Sequence, residues 1–248
     1  MPGIAAARQA ALDAAAPDEL LVMIDDDLFP EEGWLDGLLD TWSHHAGSVV
    51  MGFVRYVWPA DADPWFEAGG FMKRRPHATG TPLHTLASGN ILIDVDQVRT
   101  LGVMFDTSRG LGGGEDNAFG MAVIDAGGTI IACAESIATD EIPPHRVTRA
   151  FVRRRAISHG EGLTTLALQR RGPGHPLARI GAAAGALVRL VAFSAMHLWG
   201  KLRGDLRLNA QGMRRTWFAL GRLQGAFGRH VQEYARATDS AHRPRPTR

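Results

Sequence analysis

Five apolar residues, Leu20-Leu21-Val22-Met23-Ile24, run directly into Asp25-Asp26-Asp27, with Leu28-Phe29-Pro30 behind them. An uninterrupted apolar run of that length predicts a strand buried on both faces, as in the parallel sheet of an α/β fold. Open sheets of this class collect ligands at the carboxyl ends of their strands. Three adjacent carboxylates there repel one another unless something positive sits between them. A hard divalent cation, Mg²⁺ or Mn²⁺, suits such an oxygen-rich position, above all when substrate phosphates complete its sphere. The competing reading is a solvated acidic turn ahead of a helix, because Glu31 and Glu32 stand at a predicted helix start.

Charge is divided unevenly along the chain. Residues 1–145 hold 7 Lys and Arg against 22 Asp and Glu, a balance of −15, while residues 146–248 hold 20 against 4, a balance of +16. This fits an acidic, metal-using body followed by a basic part that meets phosphates, an anionic membrane surface or nucleic acid. The single cysteine, Cys133, excludes an internal disulfide, fits a reducing compartment, and is expected to be buried on an apolar strand. No basic-then-apolar leader opens the sequence, so no secretory signal is expected.

Alanine-rich residues 2–16 predict a helix, closed by Pro17 and Asp18. Trp34, Leu35, Leu38 and Leu39 form one face of a helix over 34–42, and 48–54 predicts a second strand. Residues 59–82, with prolines, glycines and Lys73-Arg74-Arg75, predict a loop excursion whose basic run either steers a phosphate or is a solvated turn. Ser88-Gly89-Asn90 leads into a strand at 91–93 and a short helix at 95–101. Gly89-Asn90 is either a turn or a pair small enough for a sugar to approach the backbone. Further on, Leu111-Gly112-Gly113-Gly114 precedes Glu115-Asp116 at the start of an apolar helix. The helix dipole alone favours carboxylates in a first turn. A carboxylate so placed beside a glycine-lined cavity can also act as general base toward an acceptor hydroxyl.

GIAAAR at 3–8, IDDD at 24–27 with P-x-x-GWL at 30–35, SGN-ILI at 88–93, GGGEDNAF at 112–119 and E-x-P-x-x-R at 141–146 follow in order. Together they resemble family 2 glycosyltransferases of the bacterial exopolysaccharide-building kind, from Gly3 to about Gly162. The resemblance implies a GT-A-like α/β fold, a partial Rossmann-like mixed sheet flanked by helices. It implies an inverting, metal-dependent hexosyltransferase that moves a sugar from a nucleotide-diphosphate-sugar donor to a hydroxyl of a glycan or lipid-linked acceptor, in cell-surface polysaccharide synthesis. Residue by residue it implies Asp25 and Asp27 as metal ligands, with Asp26 beside them at the donor. Arg8 would stand near the nucleotide, Ser88, Gly89 and Asn90 would line the donor-sugar pocket, and Gly113 and Gly114 would face the acceptor. Asp116 matches the catalytic base and Glu115 its neighbour, while His145 is a candidate extra ligand near the donor phosphates.

Two departures accompany the likeness. Family members usually open with a strand-helix-strand half that holds the nucleoside, and this sequence starts beyond it, so strand 20–24 is expected to expose an edge. The alternative function is therefore a catalytically impaired relative serving as an interaction module in a polysaccharide-assembly complex. Gln9 also stands where asparagine is usual. No QxxRW motif follows Glu141, which favours adding one sugar over polymerising.

The catalytic domain is expected over 1–165, a helical region over 166–238 and a disordered basic tail over 239–248. Residues 177–199 are long and apolar enough to cross a bilayer, but Arg189 favours a surface-lying or core-packed helix. Residues 213–234 combine Trp217, Phe218, Leu220, Leu223, Phe227, Val231 and Tyr234 with Arg214, Arg215, Arg222 and Arg229. That pattern predicts a basic amphipathic helix, either in peripheral contact with an anionic membrane or packed on protein. Arg153-Arg154-Arg155 reads as a basic helix face, and His159 and His175 fall in glycine-flanked loops. No nucleic-acid-reading motif accompanies these arginines, so no nucleic acid is expected as partner. The expected location is cytoplasmic, peripheral on the inner membrane.

Overall fold

The computed structural model describes residues 3–109, 114–169 and 176–228. In chain order they form α1 (Ile4–Ala14), β1 (Leu20–Ile24), β2 (Leu28–Pro30), α2 (Trp34–His45), β3 (Val49–Val57), α3 (Pro64–Ala68), β4 (Asn90–Asp94) and α4 (Val95–Thr100). These are followed by α5 (Glu115–Asp125), β5 (Ile130–Glu141), α6 (Arg149–Gln169), α7 (Pro176–Arg203) and α8 (Leu206–Ala226). The result is an α/β fold: one mixed five-stranded sheet in the order β1-β4-β3-β5-β2, helices on both faces, and a helical region after it.

β4 is the strand buried along its whole length. Its alternation sends Ile91 and Ile93 to one face, with Leu12 of α1, Val98 of α4 and Phe119 of α5. Leu92 goes to the other, with Leu38 of α2 and Cys133, which is buried as expected. β1 departs from its expectation. It pairs antiparallel with β4 at the sheet edge, and its residues are only partly buried. An apolar run of five cannot distinguish a central strand from an edge strand capped by helices, although the exposed edge itself was anticipated.

Three residues join β1 to β2, yet those strands occupy opposite edges. Flat strands ~4.8 Å apart would set the edges roughly 19 Å apart, whereas four Cα steps reach at most about 14 Å. The sheet therefore curls until its edges meet at 25–27, where the Leu28 N–H donates to the Asp25 carbonyl at 3.1 Å. β5 provides the curl. Its register against β3 slips between Met51 and Phe53, and only its far end takes β2. Gly52 sits at the slip, where a Cβ would collide with the amide of Asn90. Curling thus makes the acidic turn the point on which both sheet edges converge.

In the helical region α8 lies between α6 and α7. Glycines let the backbones touch on both sides: a Cβ at Gly221 would strike the Ile157 carbonyl of α6, and one at Gly200 would strike the Asn209 backbone of α8. Of the two expectations for α8, this interior position agrees with the helix packed on protein. Its Trp217 packs with Trp65 and Phe71 at centroid distances of 6.0 Å, in a cluster that includes Val152 and Ala210. His159 lies within α6, edge-on to Phe218 at 5.7 Å, and not in a loop. His175, Arg229, Val231, Tyr234 and the tail 239–248 fall outside the described residues. Gly221→Ala should therefore destabilise the protein by about 1–3 kcal/mol through overpacking. Gly181→Ala, with open space around its Cβ, should stabilise by roughly 1 kcal/mol through helix propensity. Thermal unfolding of the two variants should show melting shifts of opposite sign.

Candidate active site

Helix α1 buries Ala5, Arg8 and Leu12, spaced three and four apart on one face. Apolar packing thereby carries a guanidinium into the interior. Arg8 Nη1 donates to Glu115 Oε1 at 2.6 Å, and Nη2 donates to Asp25 Oδ1 at 2.9 Å. One arginine clamps the end of β1 to the start of α5. Gly114 leads into α5 at φ 77°, a left-handed conformation that glycine adopts without strain. Of the carboxylates that follow, Glu115 turns inward and is buried, whereas Asp116 stays partly exposed. Burial pushes the Glu115 carboxyl above its ordinary range, Asp116 adds to this, and Arg8 pulls part of it back.

Gly89 borders the same clamp. The Asp25 N–H donates to its carbonyl at 3.1 Å, and a Cβ there would lie 2.8 Å from Asp25 Oδ2. Ser88 is buried beside it, with an Oγ that has no hydrogen-bond partner among the described residues. Asn90 has no exposed surface. It accepts from Trp34 Nε1 at 2.7 Å and donates to the Ser136 carbonyl at 3.1 Å, so its amide joins α2 to β5 inside the core.

Asp26 and Asp27 are exposed at the turn. Asp27 Oδ2 accepts from Arg146 Nη1 at 3.2 Å, Arg146 being carried by a short 3₁₀ turn, Pro144–Arg146. Asp140, opposite Leu28 across the β2–β5 ladder, is buried nearby. Burial raises its carboxyl above the ordinary range, the Asp27 charge raises it further, and Arg146, Arg155 and Arg74 pull it back. Arg74 stacks over Tyr56 at 5.7 Å, and its buried Nη1 has no hydrogen-bond partner among the described residues. Sequence reasoning missed Asp140. The available signal was the Asp140-Glu141 pair at the end of an alternating strand, but only the register places it beside Asp27. His145 is exposed in the 3₁₀ turn. Gly113 lies outside the described residues.

Among the described residues no group of three or more His, Cys, Asp or Glu side chains converges as a metal cage. The donor chemistry at the turn is nonetheless that of a hard cation sharing its sphere with phosphate, a mode that needs only one or two protein carboxylates. Asp25 and Asp27 are the residues that would hold Mg²⁺ or Mn²⁺, each now paired with an arginine. Around the turn the chain thus offers oxygen ligands, a partly exposed carboxylate at a helix start, and cations for an anionic ligand.

Residues 2–102 match the model of glycosyl transferase family 2. The chain is also 31% identical over 158 residues to the succinoglycan biosynthesis protein ExoM of Rhizobium meliloti (strain 1021), covering 64% of this chain and 51% of that protein. These matches make the chain similar to glycosyl transferase family 2, and it spans about half the length of the curated relative it matches. Among solved structures it resembles GalNAc-T7 with UDP, GalNAc and Mn²⁺, at TM-score 0.44 and 14% identity over 63% of this chain and 37% of that one. It also resembles Staphylococcus aureus TarS 1–349 in complex with UDP-GlcNAc, at TM-score 0.42 and 15% identity over 92% and 73% of the two chains.

Proposed function

We propose that this chain is the catalytic part of an inverting glycosyltransferase. It moves a sugar from a nucleotide-diphosphate donor to a hydroxyl of a glycan or lipid-linked acceptor, in cell-surface polysaccharide synthesis. The observation that carries this reading is the acidic turn at 25–27, held between the Arg8–Glu115 clamp and Arg146. The donor diphosphate would lie against the turn, with Arg146, Arg155 and Arg74 supplying positive charge. When bound, a divalent cation on Asp25 and Asp27 would neutralise charge on the departing diphosphate. The Ser88 hydroxyl beside Gly89, without a hydrogen-bond partner among the described residues, is available to the donor. Asp116 takes the proton from the acceptor hydroxyl as its oxygen bonds to the anomeric carbon and the bond to the diphosphate oxygen breaks. Arg8 acts as a positioning residue, since its guanidinium is buried and already bonded to two carboxylates.

A second reading draws on the same ion pairs. Arginines already occupy Asp25 and Asp27, as they would in a relative that keeps the frame as an interaction module without turnover. Calorimetric titration with UDP and with GDP, with and without Mn²⁺, separates the two. The transferase reading expects metal-dependent binding of one nucleotide, weakened about tenfold or more in Asp27→Ala, the loss of one charged ligand contact being worth about 1.4 kcal/mol or more. A folded protein that binds neither nucleotide supports the interaction module.

A further inference from the structure

Among the described residues the helical region keeps one large apolar surface uncovered. Ile180, Leu187, Val188, Val191, Leu198 and Leu202 of α7 are between 53% and 78% exposed. At 100° per residue these six fall within about 100° of arc, a single stripe along the helix. The opposite face, with Ala186 and Gly200, is buried against α8. Trp199 flanks the stripe, with the Arg203 guanidinium stacked over its ring at 4.6 Å. Between Pro176 and Ala226 the chain carries eight Lys and Arg and one acidic residue, Asp205.

We propose that this face of α7 is an in-plane membrane contact, lying along an anionic bilayer with the stripe at the acyl boundary and the flanking cations among lipid phosphates. A one-sided apolar stripe bordered by Lys, Arg and Trp is the pattern of a helix that rests in the interface. α7 is long and apolar enough to cross a membrane by length and composition, and little of it is buried. Its packing opposes a crossing. Backbone contact at Gly200 and at Gly212 binds α7 to α8, so a crossing would carry Arg207, Arg214, Arg215 and Arg222 of α8 into hydrocarbon. A second copy is a poor occupant, because two such faces would bring like charges together. Anionic lipid supplies both the apolar layer and the opposite charge. The proposal requires no donor chemistry and stands apart from the transferase reading.

The test is flotation of the full chain with vesicles of phosphatidylcholine alone and with about 30% phosphatidylglycerol. The expected result is flotation with the anionic vesicles, at least ~10-fold stronger than with the neutral ones, and release by alkaline carbonate. The double variant Val188→Glu/Val191→Glu, at two exposed positions, should lose about tenfold or more of that binding. Its circular dichroism, melting temperature and nucleotide binding should match the parent's. Failure to float, equal flotation of the variant, or resistance to carbonate would each overturn the proposal, the last by showing a crossing helix. A lipid-free dimer that the variant dissociates would overturn it in favour of a second copy.

Discussion

Arg8→Met should destabilise the protein by about 3–5 kcal/mol, the usual cost of removing one partner of a buried charged pair. The arginine is buried, and so is Glu115, which receives its shorter bond at 2.6 Å. Asp25, whose side chain is 40% exposed, contributes less because water can replace the lost partner. The deficit should depend on pH in a defined direction. A carboxyl raised in the folded state costs nothing while both states are protonated, and it withdraws stability as pH rises through the folded value. Glu115 is such a group, and Arg8 is one of the influences lowering it. Without Arg8 the carboxyl should rise further, so the gap between variant and parent should be smallest in acid and widen toward neutrality. Urea unfolding at several pH values measures this. Arg8→Met/Glu115→Gln should regain much of the lost stability near neutral pH, because no buried charge is left alone. An unchanged melting temperature with weakened nucleotide binding would instead give Arg8 the nucleotide contact that the family resemblance implies.

That contrast marks where sequence reasoning ends. The acidic turn and the Glu115-Asp116 helix start were legible because both are local: apolar run, breaker and cap stand within a few residues of one another. α2 and β4 were legible from their periodicity, and β4 proved to be the strand buried on both faces. The pairing was not encoded in β1's own five residues, which read equally well as centre or edge. Asn90 looked like a pocket residue beside Gly89, but its amide is spent on Trp34 and Ser136, contacts spanning 46 and 56 residues of chain. Asp140 reaches Asp27 only through the β2–β5 register. Between the last two helices the choice was harder still, since α7 and α8 are both apolar and basic. The discriminating signal was glycine placement. Gly212 meets α7 while Gly221 and Gly225 meet α6, and a helix with glycines on two sides is the one with neighbours on both. Trp217 thus turned inward, and the exposed stripe passed to α7.

Asp116→Asn is expected to lower the turnover of sugar transfer by about 10²–10⁴-fold, the range for losing a positioned general base. The fold should not notice. Asp116 is partly exposed at the first turn of α5, and its Oδ1 accepts from the Asn117 N–H at 2.7 Å, a bond an asparagine oxygen can keep. Melting temperature and nucleotide affinity should therefore stay at the parent's values while turnover falls. Transfer of labelled sugar, assayed across pH with the nucleotide that calorimetry selects, reads all of this. Glu115→Gln supplies the contrast. Its carboxylate already accepts from Arg8 and lies buried, so it is poorly placed to collect a proton from an incoming hydroxyl. Its loss should act through the clamp, altering stability and the position of Asp25 more than the turnover. If Asp116→Asn kept full activity while Glu115→Gln lost it in a folded protein, the base would be Glu115. The clamp would then be a proton-handling device as well as a strut.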